Sequence, residues 1–137
     1  MNVLDTYNRT EIIHYVLKQM GVGPHLKGYR YCTKAIELAL SDAAYLDDVT
    51  RRMYAEVAKE FNTTASCAER AIRHAITYAL DNSGADDWAY TVFGRFALKG
   101  MVCNSLFIAM CVDLIANEPH HPIFIMEVPN EQKQHKA

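Results

Sequence analysis

The stretch Tyr54–Leu80, YAEVAKEFNTTASCAERAIRHAITYAL, decides how this chain is read. Val57, Ala58 and Phe61 recur at helical spacing, so one side of Tyr54–Phe61 is apolar. Ala58 supplies the small side chain that two steeply crossing helices need at their contact. Asn62 follows, a residue type that tolerates the left-handed backbone at a helix end. Thr64 is then placed to cap a helix beginning at Ala65. Ser66 and Glu69 offer a competing cap with capping-box spacing, which starts the helix two residues later. The Thr64 start is preferred, because it keeps Ser66 and Cys67 in an exposed first turn.

The second helix has two faces. Ala68, Ala71, Ile72, Ala75, Ile76 and Ala79 form an inward stripe. Ser66, Cys67, Glu69, Arg70, Arg73, His74 and Thr77 are left facing out. A helix, a tight turn and a second helix of this kind let one helix enter the major groove of DNA while the other braces it. Arg70 and Arg73 lie about one turn apart, and each can make paired hydrogen bonds to guanine or clamp a phosphate. Glu69 can accept a hydrogen bond from a cytosine amine, or hold a neighbouring arginine in place. His74 is placed for a phosphate contact. The plainer alternative is a solvated helix face with an ion pair such as Glu69–Arg73 at i,i+4. The small-residue contact, the turn and the cap favour DNA, with Thr64, Ser66, Cys67, Glu69, Arg70, Arg73 and His74 as the candidate contacting set.

Three stretches extend this reading to most of the chain: GVGPHLKGYRYCTKAIELAL at Gly21–Leu40, EFNTTASCAERAIRHAI at Glu60–Ile76 and NSLFIAMCVDLI at Asn104–Ile115. In order and spacing they resemble the C-terminal effector domain of the master response regulator of sporulation initiation in endospore-forming bacteria. NTTAS followed by ERAIRHAI is the most specific part, and HLKGY and FIAM support it independently. The resemblance covers roughly Thr10 to Ala116. It implies an all-α, compact six-helix domain whose helix-turn-helix binds short, often tandem boxes in promoters. The base- and backbone-contacting positions of that family fall on Ser66, Glu69, Arg70 and Arg73. Where the family usually carries an arginine directly after the serine, this chain has Cys67. An arginine's paired hydrogen bonds to a base are worth about 1–3 kcal/mol of discrimination, so an altered box or a lower affinity is expected. Full-length members of the family place a phosphoacceptor receiver ahead of the effector. Met1–Asn8 is too short for one, so a free-standing effector domain is expected, regulated by expression level, self-association or a partner.

The expected organisation is an N-terminal extension over 1–9, the helix-turn-helix domain over 10–116 and a short irregular tail over 117–137. Thr10 is expected to cap a helix from Glu11 to about Met20, with Ile12, Ile13, Tyr15, Val16 and Met20 at its apolar positions. Gly21-Val22-Gly23-Pro24 breaks it. A longer helix is expected from about His25 to Ser41, and a short helix or turn over Ala43–Val49. Lys27 and Arg30 share one side of the long helix and either touch the DNA backbone or are solvated. Asp81-Asn82-Ser83-Gly84 ends the Ala65 helix. Asp86–Phe96 reads as a short helix and loop that tucks Trp88 and Phe93 against the core. Asn104–Ile115 reads as the last helix, burying Phe107, Ile108, Met110, Cys111 and Leu114. Phe96–Cys103, FALKGMVC, is more apolar than the lysine-bearing loop of the resembling family. Ile123–Met126 is an apolar run of strand-like composition that packs back on the core or forms a contact surface. Loop and tail together offer an interface for a homodimer or a heteromeric partner.

Composition places the chain among compact domains with a core of their own, since half of its residues are hydrophobic and 22% are charged. The net charge of −2 supplies no general attraction for nucleic acid. From Arg51 to Leu80, however, five Lys/Arg face three Asp/Glu, a local excess of +2. The four cysteines form no CxxC pair and show no metal-ligand spacing. Cys32, Cys103 and Cys111 are expected to be buried, and Cys67 exposed, with a pKa lowered by Arg70 and the helix N-terminus. His120 and His121 are adjacent in a loop and lack a third ligand, so no metal is expected; His14 and His25 read as polar residues at helix surfaces or ends. No activated nucleophile, paired-carboxylate site or glycine-rich phosphate loop is present, which argues against an enzyme or a cofactor. A signal peptide and an apolar run of the ~20 residues a membrane span needs are both lacking. The expectation is a cytoplasmic protein with reduced thiols, no membrane partner and double-stranded DNA as its ligand. The competing class is a protein-interaction module that pairs with a full-length regulator, or with itself, without strong DNA binding.

Overall fold

A computed structural model describes residues 8–82 and 102–117, and among these every regular element is helical. The described residues form five α-helices: α1 (Arg9–Gln19), α2 (Lys27–Ser41), α3 (Tyr54–Glu60), α4 (Ala65–Asn82) and α5 (Asn104–Asn117). The helix expected over Asp86–Phe96, with Trp88 and Phe93, lies outside the described residues. So do Ser83 and Gly84, most of the apolar Phe96–Cys103 stretch, His120, His121 and the Ile123–Met126 run.

The first helix starts earlier than its sequence suggested. Asn8, and not Thr10, is the cap: its side chain accepts from the Glu11 amide at 2.8 Å, and its own amide donates to Glu11 Oε1 at 3.0 Å. This reciprocal box satisfies two amides that a helix start leaves unpaired. Thr10 is drawn elsewhere, donating its hydroxyl to Glu37 Oε2 on α2 at 2.8 Å. The helix closes on Gly21, whose φ of 86° only glycine adopts without strain. Gly21 donates to Lys18 O and Val22 to Leu17 O, a Schellman closure that also turns Val22 into the core.

The second helix begins at Lys27, two residues later than expected, because the Leu26 amide donates a hydrogen bond to Gly23 O and holds Leu26 in a turn. It packs against all four other helices and is the axis of the fold. Tyr29, Cys32, Ala35, Ile36 and Ala39 lie buried along it. At Gly28 the approach of α4 is closest, since a Cβ built there would lie 2.2 Å from the Ala71 carbonyl oxygen and 2.5 Å from Ala75 Cβ.

The segment expected to be a short helix or turn resolves into two. A 3-10 turn spans Ala43–Asp47, capped by Asp42, and a π turn spans Val49–Met53, capped by Asp48. Both capping carboxylates also face arginines, with Asp42 3.9 Å from Arg52 and Asp48 3.8 Å from Arg51. Two of the five cations counted in the basic stretch are therefore partly neutralised by acids just upstream of it. The local charge excess is smaller in space than along the chain.

The last helix buries Phe107, Ile108, Cys111 and Leu114 against this core, while Met110 is only half-buried. Cys103 is exposed, contrary to expectation, because it precedes the first turn of α5 and so misses its apolar stripe. Cys32 and Cys111 are buried as their surroundings suggested.

Candidate nucleic-acid interface

Between α3 and α4 the chain reverses in four residues, Phe61 to Thr64. Asn62 takes the left-handed conformation at φ 55°, and Thr63 N donates to Ala58 O at 2.9 Å, which closes α3 as Gly21 closes α1. Phe61 packs against Tyr31 with ring centroids 4.8 Å apart and planes tilted by 31°, and the Arg30 guanidinium lies 5.9 Å from the centre of the Phe61 ring. These contacts hold the turn against α2. Arg30 and Lys27 are both exposed at the surface.

Thr64 starts α4 by accepting a hydrogen bond from the Cys67 amide at 3.1 Å, so the Thr64 cap and not the Ser66 alternative is realised. Ala68, Ile72, Ala75, Ile76 and Ala79 are buried, Ala71 is half-buried, and Ala58 of α3 is buried. A helix resting on alanines can lie close to its neighbours, as α4 does to α2 at Gly28. The buried stripe sets which residues of α4 face outward.

Ser66, Arg70, Arg73 and Thr77 are exposed and recur at intervals of four, three and four residues, which places them on one stripe. His74 is exposed beside that stripe, while Cys67 and Glu69 are half-buried at its flanks. Arg73 donates through Nε and one terminal nitrogen to the two oxygens of Glu69, at 3.0 and 3.2 Å. That carboxylate holds the Arg73 guanidinium above its usual pKa, first by hydrogen bonding and then by its charge. The ion pair and the outward arginine are thus one feature. Arg70 bends back on the first turn, with a terminal nitrogen 3.7 Å from Cys67 Sγ.

The half-buried Cys67 thiol is pulled down to about 7, by hydrogen bonding to Thr64 first, then to Thr63 and Arg70. Its thiolate fraction therefore rises through neutrality. Burial instead pushes Cys32 up to about 12 and Cys111 well above the usual thiol range. Brief iodoacetamide treatment followed by site-resolved mass spectrometry is expected to label Cys67 increasingly between about pH 6 and about pH 8, with Cys32 and Cys111 protected until the fold is denatured. A rate that goes on climbing about tenfold per pH unit beyond about pH 8, with no levelling off, would show that its thiol is not lowered.

One contributor escapes a reading of α4 alone. Asn104, the first residue of α5, is buried, and its Nδ2 donates to Tyr54 OH at 3.0 Å, to Glu69 O at 3.2 Å and to Glu69 Oε2 at 3.4 Å. The available signal was an asparagine opening an otherwise apolar helix, which by itself reads as a cap. Among the described residues no group of three His, Cys, Asp or Glu side chains is placed to hold a metal ion, and no helix is long and apolar enough to cross a membrane.

An all-helical core that turns one arginine-bearing helix outward fits the class of DNA-binding regulatory domains. Residues 13–115 match the family described as sporulation initiation factor Spo0A C terminal, and the chain belongs to that family. It is a family of DNA-binding effector domains of response regulators, acting in transcription regulation and sporulation.

Proposed function

We propose that this chain is a sequence-specific regulator of transcription that reads double-stranded DNA boxes through the exposed face of α4. The observation that carries the reading is the single stripe of Ser66, Arg70 and Arg73 on a helix pinned by buried alanines and a Thr64 cap. Arg70 and Arg73 supply paired donors for guanine or phosphate, Glu69 an acceptor, and His74 and the Thr64–Cys67 turn approach the backbone. Such work places the protein in the cytoplasm with the chromosome.

Titration of the purified protein against duplexes carrying one or two family-type boxes, and against a scrambled duplex, tests this at two salt concentrations. Phosphate contacts alone give similar and salt-steep curves on all three duplexes. The expected result is a preference for the box that survives the higher salt and disappears in Arg73→Ala. Three indistinguishable curves would overturn the reading and turn attention to protein partners.

A further inference from the structure

The geometry points to Asn104 as a positioning residue for DNA reading, acting from α5 through Glu69 on the stripe of α4; this rests on the function proposed above. Beside Arg73, α4 and the start of α5 are separated by an open groove of about 390 Å3, lined by Tyr54, Glu69, Arg73, Ile76, Cys103 and Asn104 among others. With space on that side, packing alone does not confine the Glu69 side chain to one direction. Hydrogen bonds do so instead. Asn104 Nδ2 shares its two hydrogens among Tyr54 OH, the Glu69 carbonyl and the Glu69 carboxylate, while Arg73 donates to both carboxylate oxygens. The carbonyl bond anchors the backbone of α4 at the turn that carries Glu69 and Arg70. The carboxylate bond aims Glu69, and Glu69 aims Arg73.

The anchor is itself fixed. Asn104 is 8% exposed and Tyr54 6% exposed, and burial pushes the Tyr54 hydroxyl pKa up, so it stays protonated beneath the amide. A buried amide with acceptors on two helices has one satisfactory orientation, because turning it would set its carbonyl oxygen against the Glu69 oxygens. Base recognition depends on side chains held in the reading geometry before DNA arrives, and a residue that removes their freedom adds selectivity without touching a base.

The test compares the wild-type chain with Asn104→Leu, which keeps the bulk, and with Asn104→Asp. The aspartate has no hydrogen to give Tyr54 OH or Glu69, and can only accept from the Tyr54 hydroxyl, which reverses that bond. Each protein is titrated against a panel of boxes in which every base pair is changed in turn, and its melting temperature and the exchange of the Arg73 Nε–H signal are measured without DNA. In both variants the penalty for changing the pair read by Glu69 and Arg73 is expected to fall by about fivefold or more. Affinity for a scrambled duplex should stay unchanged, and the Arg73 Nε–H should exchange faster. In a Glu69→Ala background the Asn104 changes should add nothing to the base-pair profile. A purely structural asparagine would lower the melting temperature and weaken all duplexes alike, with the profile intact; that result overturns the inference. A wild-type chain with no box preference overturns the function beneath it, and the inference with it.

Discussion

Arg70→Ala is expected to abolish the preference for a family-type box while leaving the fold in place. Arg70 is exposed on the stripe, and its one described side-chain contact is a long 3.7 Å approach to Cys67 Sγ. Removing it therefore takes almost nothing from the core, and the melting temperature should move by no more than about 2 °C. On DNA the balance reverses. A guanidinium that makes two parallel hydrogen bonds to guanine contributes about 1–3 kcal/mol of discrimination, roughly a 5- to 150-fold preference. Arg73 spends two of its five N–H donors on Glu69 in the free protein and Arg70 at most one, so Arg70 has the more donors to spare when the helix meets a base. Fluorescence anisotropy on box and scrambled duplexes, beside a thermal melt, measures both sides. A retained preference would remove Arg70 from the reading face; a large fall in melting temperature would show that it holds the fold instead.

Gly28→Ala is expected to destabilise the protein, although alanine is the better helix former. In a free helix the change is worth about 1 kcal/mol in favour of alanine. Here the new methyl carbon would sit 2.2 Å from the Ala71 carbonyl oxygen and 2.5 Å from Ala75 Cβ, both on α4. The nearer obstacle is backbone and cannot swing aside as a long side chain does, so α2 and α4 must separate. Overpacking of this kind costs up to about 3 kcal/mol or more, which leaves a net loss near 2 kcal/mol and a melting temperature lower by roughly 5–10 °C. Differential scanning calorimetry decides the sign. An unchanged or raised transition would mean that the two helices have room the structure does not show. Because α4 carries the proposed reading face, box affinity should fall along with stability.

What proved legible in the chain was whatever is settled within one or two helical turns. The Thr64 cap, the left-handed Asn62 and the alternation of alanines with polar residues along α4 all rest on contacts three or four residues apart. A local signal could also mislead when two candidates competed. Asn8 and Thr10 are both good caps, and Asn8 has the glutamate at capping-box spacing, while Thr10 finds its partner 27 residues away on α2. The expected exposure of Arg70, Arg73, His74 and Ser66 followed from the same periodicity. The burial expected for Cys103 did not, because apolar neighbours in sequence say nothing about which side of a helix start faces the core.

By itself, then, the sequence determined that this protein is helical, that α4 has one face for the core and one for solvent, and to which family it belongs. Periodicity, caps and motif order are properties of residues near one another along the chain. Only the tertiary structure decided how that outer face is held. It set Arg52 beside Asp42, thinning the basic stretch, brought Gly28 against the Ala71 carbonyl, and laid Asn104 across to Glu69, 35 residues away. Hydrogen bonds and close approaches between distant segments depend on how helices pack, and many partners of suitable chemistry compete for each until packing leaves one within reach.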